Sequence, residues 1–321
     1  MSAVADASAT GTTPVALRAL VESAVAGLNG IILGKERQVR LCLACLLARG
    51  HLLIEDIPGV GKTTLAHALA RTLGLSYQRI QFTSDLLPAD IIGVSVFERE
   101  TSTFQFHKGP VFAQLVLADE INRATPKAQS ALLEAMEEHQ VTADGQTYPL
   151  TNPFFVIGTQ NPVYQIGTYP LPESQLDRFL MRIQLGYPGA EAERALLEGQ
   201  DRRDVLHTLV PALGIDELTR FQQEVRRVHA SPALLDYVQA LVDFTRTSPE
   251  YTSGLSPRAA LALLHAARAW ALMEGRGHVL PEDVQVVLPG VVSHRLTTIQ
   301  EVGRVNGSDV AEHLMREVAI P

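Results

Sequence analysis

The sequence predicts an α/β fold, a parallel sheet covered by helices on both faces, followed by an all-helical region. Three observations carry this expectation. Short apolar or β-branched runs alternate with helical patterns up to residue 188, and the pattern turns wholly helical after Tyr187-Pro188-Gly189. Two segments of alternating polarity also interrupt the strand–helix rhythm, as hairpins would.

Residues 1–14 are rich in Ala, Ser and Thr but lack a basic start and an apolar signal core, which predicts a disordered lead-in. Residues 15–28 and 35–48 carry apolar side chains at helical spacing and are separated by Asn29-Gly30 and Gly34. Candidate strands follow at 51–55, 77–82, 115–118, 153–159 and 179–185, with helical patterns at 62–73 and 126–138 between them. Residues 94–106 alternate on either side of 99–102, and residues 140–150 do so around Asp144-Gly145, a strong turn pair. Beyond residue 188, helices are predicted at 191–197, 215–228, 232–245, 256–273 and 281–294, while 296–321 gives no clear pattern. The expected organisation is an α/β domain over 15–188 and a helical domain over 189–321, with no internal repeat.

Composition bounds the function. A chain of 321 residues with 46% hydrophobic content can bury a full core. Its apolar runs, such as the one at 41–48, fall far short of the roughly 20 residues that cross a bilayer, so no membrane span and a cytoplasmic location are expected. With 27 basic against 35 acidic residues the net charge is -8, which disfavours a nucleic-acid partner. Cys42 and Cys45 have the spacing of a redox or metal pair. They lie inside an apolar helical run with no second Cys or His pair beside them, so packing is the better account. The ten histidines form no constellation at metal-ligand spacing.

The chemistry begins at residues 52–64, where an apolar strand runs into a glycine-bearing turn and then a helix, the setting of a phosphate-binding loop. Within Asp56-Ile57-Pro58-Gly59-Val60-Gly61-Lys62-Thr63-Thr64, Gly59 and Gly61 allow the turns that aim backbone N–H groups at an anion. Lys62 is expected to reach the β- and γ-phosphates of ATP, and the Thr63 hydroxyl to ligate Mg²⁺ at the positive end of the helix. Asp56 stands where a first glycine normally falls, which asks an Asp to enter the left-handed region. A second apolar strand ends in Asp119-Glu120. Carboxylates there share the sheet edge with the loop, so Asp119 is expected to hold the Mg²⁺ shell and Glu120 to activate the attacking water. A third strand delivers Asn161 to that edge, an uncharged amide able to orient the water.

These segments together resemble the MoxR family of AAA+ ATPases. The resemblance rests on Ile54-Glu55-Asp56-Ile57-Pro58-Gly59-Val60-Gly61-Lys62-Thr63, Ala118-Asp119-Glu120-Ile121-Asn122-Arg123-Ala124, Gly158-Thr159-Gln160-Asn161-Pro162, Leu171-Pro172-Glu173-Ser174-Gln175-Leu176-Asp177-Arg178-Phe179 and Leu255-Ser256-Pro257-Arg258. It implies an acidic residue as normal at Asp56, Asn161 as sensor 1, Arg178 as an arginine finger offered to a neighbouring subunit, and Arg258 as sensor 2. It further implies that Gly34 lies in a loop beside the adenine, that residues 94–106 form the helix-2 insert, and that residues 140–150 form the hairpin before sensor 1. The helical domain becomes a lid with ATP at the interdomain cleft, and turnover changes the lid angle through Arg258. A homo-oligomeric ring, usually a hexamer, is implied, together with a client protein that is remodelled or receives a cofactor or metal, and a partner carrying a von Willebrand factor A-type domain.

The residues support the two arginines independently. Charge spreads over the γ-phosphoryl oxygens in the transition state, and a planar guanidinium meets it with directional hydrogen bonds. Ser256-Pro257 reads as an N-cap followed by proline at the first helical position, which puts Arg258 in the first turn. Arg123 and Arg182 stay outside the core site. Two other function classes are weighed. An ATP-occupancy switch has no need of the carboxylate at Glu120. A helicase-like translocase would carry Lys or Arg at its hairpin tips, and residues 140–150 have none. Magnesium-chelatase motor subunits share the inserts.

Overall fold

The computed structural model describes residues 14–100, 102–161, 167–199, 205–206, 208–298 and 307–320. The expected lead-in falls outside these apart from Pro14, as do Pro162 and Thr101.

Helices α1 (Pro14–Asn29) and α2 (Glu36–Leu47) precede strand β1 (Leu52–Glu55). Then come α3 (Lys62–Thr72), β2 (Tyr77–Gln81), the short α4 (Pro88–Ile92), the hairpin of β3 (Gly93–Glu98) and β4 (Thr103–Lys108), and β5 (Leu115–Asp119). Helix α5 (Pro126–Glu138), the hairpin of β6 (Gln140–Ala143) and β7 (Gln146–Pro149), β8 (Phe155–Gln160), the one-turn α6 (Glu173–Leu176) and β9 (Met181–Ile183) complete the α/β part. Beyond it the described elements are helical: α7 (Ala190–Glu198), α8 (Ile215–Arg227), α9 (Pro232–Thr247), α10 (Pro257–Met273), α11 (Pro281–Val292) and α12 (Gly307–Glu317).

Five strands form one parallel sheet in the order β2-β5-β8-β1-β9. Every residue of β1, β5 and β8 is buried, as expected of strands covered on both faces. Successive side chains of a strand point to opposite faces, and the core divides accordingly. Leu52, Ile54, Leu115, Leu117, Phe155 and Ile157 join α1, α2 and α3 on one side. On the other, Leu53, Val116, Ala118 and Val156 meet Leu132, Leu133 and Met136 of α5. The first core continues without a break into Leu263, Leu288 and Leu314 of the C-terminal helices. A buried amide adds to that junction: Gln222 Nε2 donates to the Leu46 carbonyl at 2.9 Å.

Cys42 and Cys45 are both buried and free, and burial pushes both thiols up, which suits packing. Among the described residues no helix is long and apolar enough to cross a membrane. The last strand is shorter than its apolar run. The Leu180 N–H turns to the His51 carbonyl and the Leu185 N–H to the Asp56 carboxylate, leaving only Met181–Ile183 in the ladder.

Strand order fixes what meets what. The carboxyl ends of β1, β8 and β5 lie side by side, so residues 56–64, Asn161 and Asp119-Glu120 share one edge. At the opposite edge the amino ends of β1 and β9 bring His51 and Leu180 together, beside the carboxyl end of α5.

Candidate functional site

Strand β1 ends in a turn that uses left-handed backbone only at Gly59 (φ 86°) and Gly61 (φ 92°). A Cβ at either would meet nothing within 4 Å, so the loop stands around open space. Gly61 is also the N-cap of α3, which has no side-chain cap; the N–H groups of its first turn remain available to an anion. The backbone here therefore fits a phosphate group. Asp56 does not enter the left-handed region, contrary to the sequence expectation. Its carboxylate instead accepts N–H bonds from Ile57 at 2.8 Å and from Leu185 and Gly186 at 2.6 Å each. Asp56 ties the loop to the chain leaving β9. Gly34 (φ 68°) lies beside that same segment, where a Cβ would come within 3.1 Å of Ala192.

Lys62 is buried, and its ammonium donates to the carbonyls of Asp56 (2.6 Å) and Ile57 (3.1 Å) and to Asn161 Oδ1 (3.4 Å). Burial lowers its pKa, while Asp56, Asp119 and Glu120 oppose that shift. Asn161 in turn donates from Nδ2 to Glu120 Oε1 at 3.1 Å. The expected lysine, amide and general base thus form one hydrogen-bonded chain. Thr63 is exposed and Thr64 half-buried in the first turn of α3.

Glu120 has a left-handed backbone (φ 57°, ψ 47°), a strain of roughly 1–3 kcal/mol for a residue with a side chain. Its own N–H offsets part of this by donating to Thr159 Oγ1 at 2.9 Å. The Thr159 hydroxyl passes on to Asp119 Oδ1 at 2.6 Å, so one threonine sets both acidic residues. Asp119 Oδ2 accepts from Arg79 Nε at 3.0 Å and Nη2 at 2.6 Å, and Glu120 Oε2 accepts from Gln81 Nε2 at 3.2 Å and pairs with Arg123 Nε at 2.9 Å. Among the described residues no group of three or more His, Cys, Asp or Glu side chains could hold a metal ion. One carboxylate and one hydroxyl, completed by phosphate oxygens, suit Mg²⁺.

Arg178 and Arg258 lie elsewhere. They meet at the opposite edge of the sheet, in a cleft lined by Gly50, His51, Glu137 and Arg295 among others. Arg178 Nε pairs with Glu137 Oε2 at 3.2 Å, and Arg258 Nη2 with Glu137 Oε1. The four residues of β1 separate this pair from the loop by about 13 Å of strand. Arg258, expected as sensor 2, therefore lies away from the loop of its own chain, because the first turn of α10 starts at the amino end of the sheet. Ser256 does cap that helix, accepting the Ala259 N–H at 3.0 Å, as predicted.

Sequence reasoning missed Thr159, Arg79, Gln81 and Glu137. It left out Arg123, which touches Glu120, and Arg182, a buried strut between Glu55 and Ser293 whose pKa burial pulls down to about 10. The apolar strand ending in Gly158-Thr159-Gln160-Asn161 held a signal for Thr159, a lone hydroxyl in a wholly buried strand.

Residues 51–181 match the ATPase family associated with various cellular activities (AAA), and residues 243–314 match an AAA lid domain. The chain is 44% identical to the uncharacterised protein YeaC of Bacillus subtilis, over 95% of this chain and 96% of that one. It is 40% identical to Chaperone MoxR1 of Mycobacterium tuberculosis (94% and 82%) and 36% identical to Protein MoxR of Paracoccus denitrificans (85% and 87%). A crystal structure from Cytophaga hutchinsonii, described as a candidate ATPase, superposes with a TM-score of 0.87 at 36% identity, covering 96% of this chain and 97% of that one. With MoxR relatives aligned over most of both chains and the phosphate loop, acidic pair and asparagine gathered at one sheet edge, the chain belongs to the MoxR family of AAA+ ATPases.

Proposed function

We propose that this chain hydrolyses ATP with Mg²⁺ in a homo-oligomeric ring, a hexamer as is usual in the family, and uses the cycle to remodel or mature a client protein. A partner with a von Willebrand factor A-type domain is part of that reading. The observation that carries it is the division of the reactive groups between two edges of one short sheet. Lys62, Glu120 and Asn161 sit on one edge, and Arg178 with Arg258 on the other, so a complete set forms only where two copies meet.

In this reading the N–H groups of residues 58–64 and the Lys62 ammonium bind the phosphates, with Gly34 near the base and Asp56 acting through its hold on residues 185–186. Thr63 and Asp119 would hold Mg²⁺, which would supply positive charge to the phosphoryl oxygens. Glu120 takes the proton of the attacking water, which Asn161 orients. The neighbour's Arg178 and Arg258 meet the charge developing on the transferred group. The first hairpin exposes Val94, Phe97 and Phe104, apolar surface suited to a protein client. The second, between Gln140 and Pro149, carries no Lys or Arg for a phosphate backbone.

Glu120→Gln should keep ATP binding while lowering turnover about 10²- to 10⁴-fold, whereas Lys62→Ala should weaken binding itself. Wild-type turnover by Glu120→Gln, measured as phosphate release, rules out this carboxylate as the base. Arg178→Ala and Lys62→Ala subunits, each inactive alone, should regain partial activity when mixed. Mixed rings that exchange subunits and stay inactive speak against action across the boundary. DNA at low salt should leave turnover unchanged, and strong stimulation that fades with salt overturns the protein-client reading.

A further inference from the structure

Asp177 precedes Arg178 at the end of the one-turn helix α6, and its two carboxylate oxygens engage two distant parts of the chain. Oδ2 accepts the Ser256 hydroxyl at 2.9 Å, and Ser256 caps the helix that bears Arg258. Oδ1 accepts Arg295 Nε at 2.6 Å. Arg295 is saturated. Its remaining four N–H groups go to the carbonyls of Leu180 (3.1 Å), Val291 (2.6 Å), Asp177 (3.2 Å) and Phe179 (2.7 Å). The guanidinium thus fastens the backbone on both sides of Arg178 to the end of α11. The Ser256 bond sets the first turn of α10 against the same backbone. At the exposed end of this assembly Arg178 and Arg258 each take one oxygen of the Glu137 carboxylate, so their spacing fits a single oxyanion.

We infer that Asp177 is a positioning residue, which locks Arg178 and Arg258 into one two-pronged unit for the terminal phosphoryl group of a neighbouring copy's nucleotide. The inference rests on the reading that the two arginines serve a neighbour. Without Asp177 the two segments lose their common acceptor, and the guanidiniums no longer arrive at a fixed spacing. Misplacement of about 1 Å in a catalytic array can cost as much as 10²-fold in rate.

Asp177→Ala should lower kcat roughly 10- to 100-fold, with KM for ATP and nucleotide affinity within about twofold of wild type, because the phosphate loop is untouched. Asp177→Asn, which keeps one carbonyl oxygen and adds a donor, should fall between the two. Mixing Asp177→Ala with Lys62→Ala subunits should restore activity, since the second supplies an intact pair to the first's intact loop. The Arg178→Ala and Lys62→Ala mixture runs alongside as control. If the control recovers while Asp177→Ala alone turns over at the wild-type rate, or its mixture stays inactive after subunit exchange, the positioning role is overturned. If the control itself fails to recover, the reading in trans falls and this inference with it. Should Asp177→Ala not fold, Ser256→Gly decides. Glycine remains an acceptable helix start, so losing the cap bond from Ala259 costs α10 little while the bond to Asp177 is cut. A several-fold loss in kcat at unchanged KM supports the role, and wild-type kcat overturns it.

Discussion

At the scale of single residues, one hydroxyl carries an unusual share of the order at the reactive edge. Thr159 is fully buried, accepts the N–H of the strained Glu120 and donates to Asp119. Thr159→Val keeps the shape and strands both partners, so it should cost about 1–3 kcal/mol of stability in denaturant unfolding and slow ATP turnover as well. Unchanged stability and rate exclude the threonine as organiser of the acidic pair. His51 offers a second check. Its Nδ1 accepts the Val156 N–H at 3.0 Å and Nε2 faces the Met136 carbonyl at 3.3 Å, an arrangement that fits the neutral ring, and burial lowers its pKa to about 4. The unfolded imidazole takes up a proton near pH 6.5, so between there and pH 4 the unfolded state binds more protons. His51's contribution, about 3 kcal/mol, is then present above pH 6.5 and lost as pH falls towards 4. Wild type should lose more stability on acidification than His51→Gln, and parallel curves exclude this source. The side chains that end apolar strands, Asp119, Glu120 and Asn161, were legible in the sequence because strand ends are visible there. Their partners were not. Arg79 and Gln81 reach the acidic pair only because β2 lies against β5, with Gln81 opposite Asp119, and the Asp56 carboxylate finds its N–H donors at residues 185 and 186.

Among the elements, both hairpins were legible, the second through Asp144 (φ 51°) and Gly145 (φ 75°), the successive left-handed residues that such a turn requires. What alternation did not reveal is that they touch. Phe106 of β4 stacks on Tyr148 of β7 with ring centroids 4.2 Å apart. The first hairpin also extends to Lys108, beyond the segment read from sequence. Its base depends on Gly93 (φ 107°), where a Cβ would come within 2.2 Å of the His107 carbonyl oxygen and 2.7 Å of the Gly109 nitrogen. Gly93→Ala should leave the sheet intact and open the hairpin, read as faster protease cleavage within residues 93–108 at little change in circular dichroism. Wild-type cleavage kinetics count against so tight a base. Helix α12 escaped the sequence reading; its apolar positions Val310, Ala311 and Leu314 are few, and they become informative only against the core they join.

For the molecule as a whole, the sequence marked a change of character at residue 188, yet the two parts share one core, because α2 packs against helices more than 170 positions later, as the Gln222 bond to Leu46 illustrates. No reading along the chain could pair such distant segments. In the proposed assembly, specific ATPase activity should rise with protein concentration and vanish on dilution below the assembly threshold. Concentration-independent activity of a monomer excludes sharing of the site between copies. In the proposed assembly, the separation of residues 56–64 from the arginine pair by the depth of the sheet would give each copy a polarity, an offering side and a receiving side. Joining unlike sides is a heterologous contact, which generates rings when the rotation closes and open arcs when it does not. An arc always ends in one loop without arginines and one pair without a loop. Counted over the assembly, a closed ring has as many complete catalytic centres as subunits, and every open arc has one fewer, so closure itself is worth one extra active site.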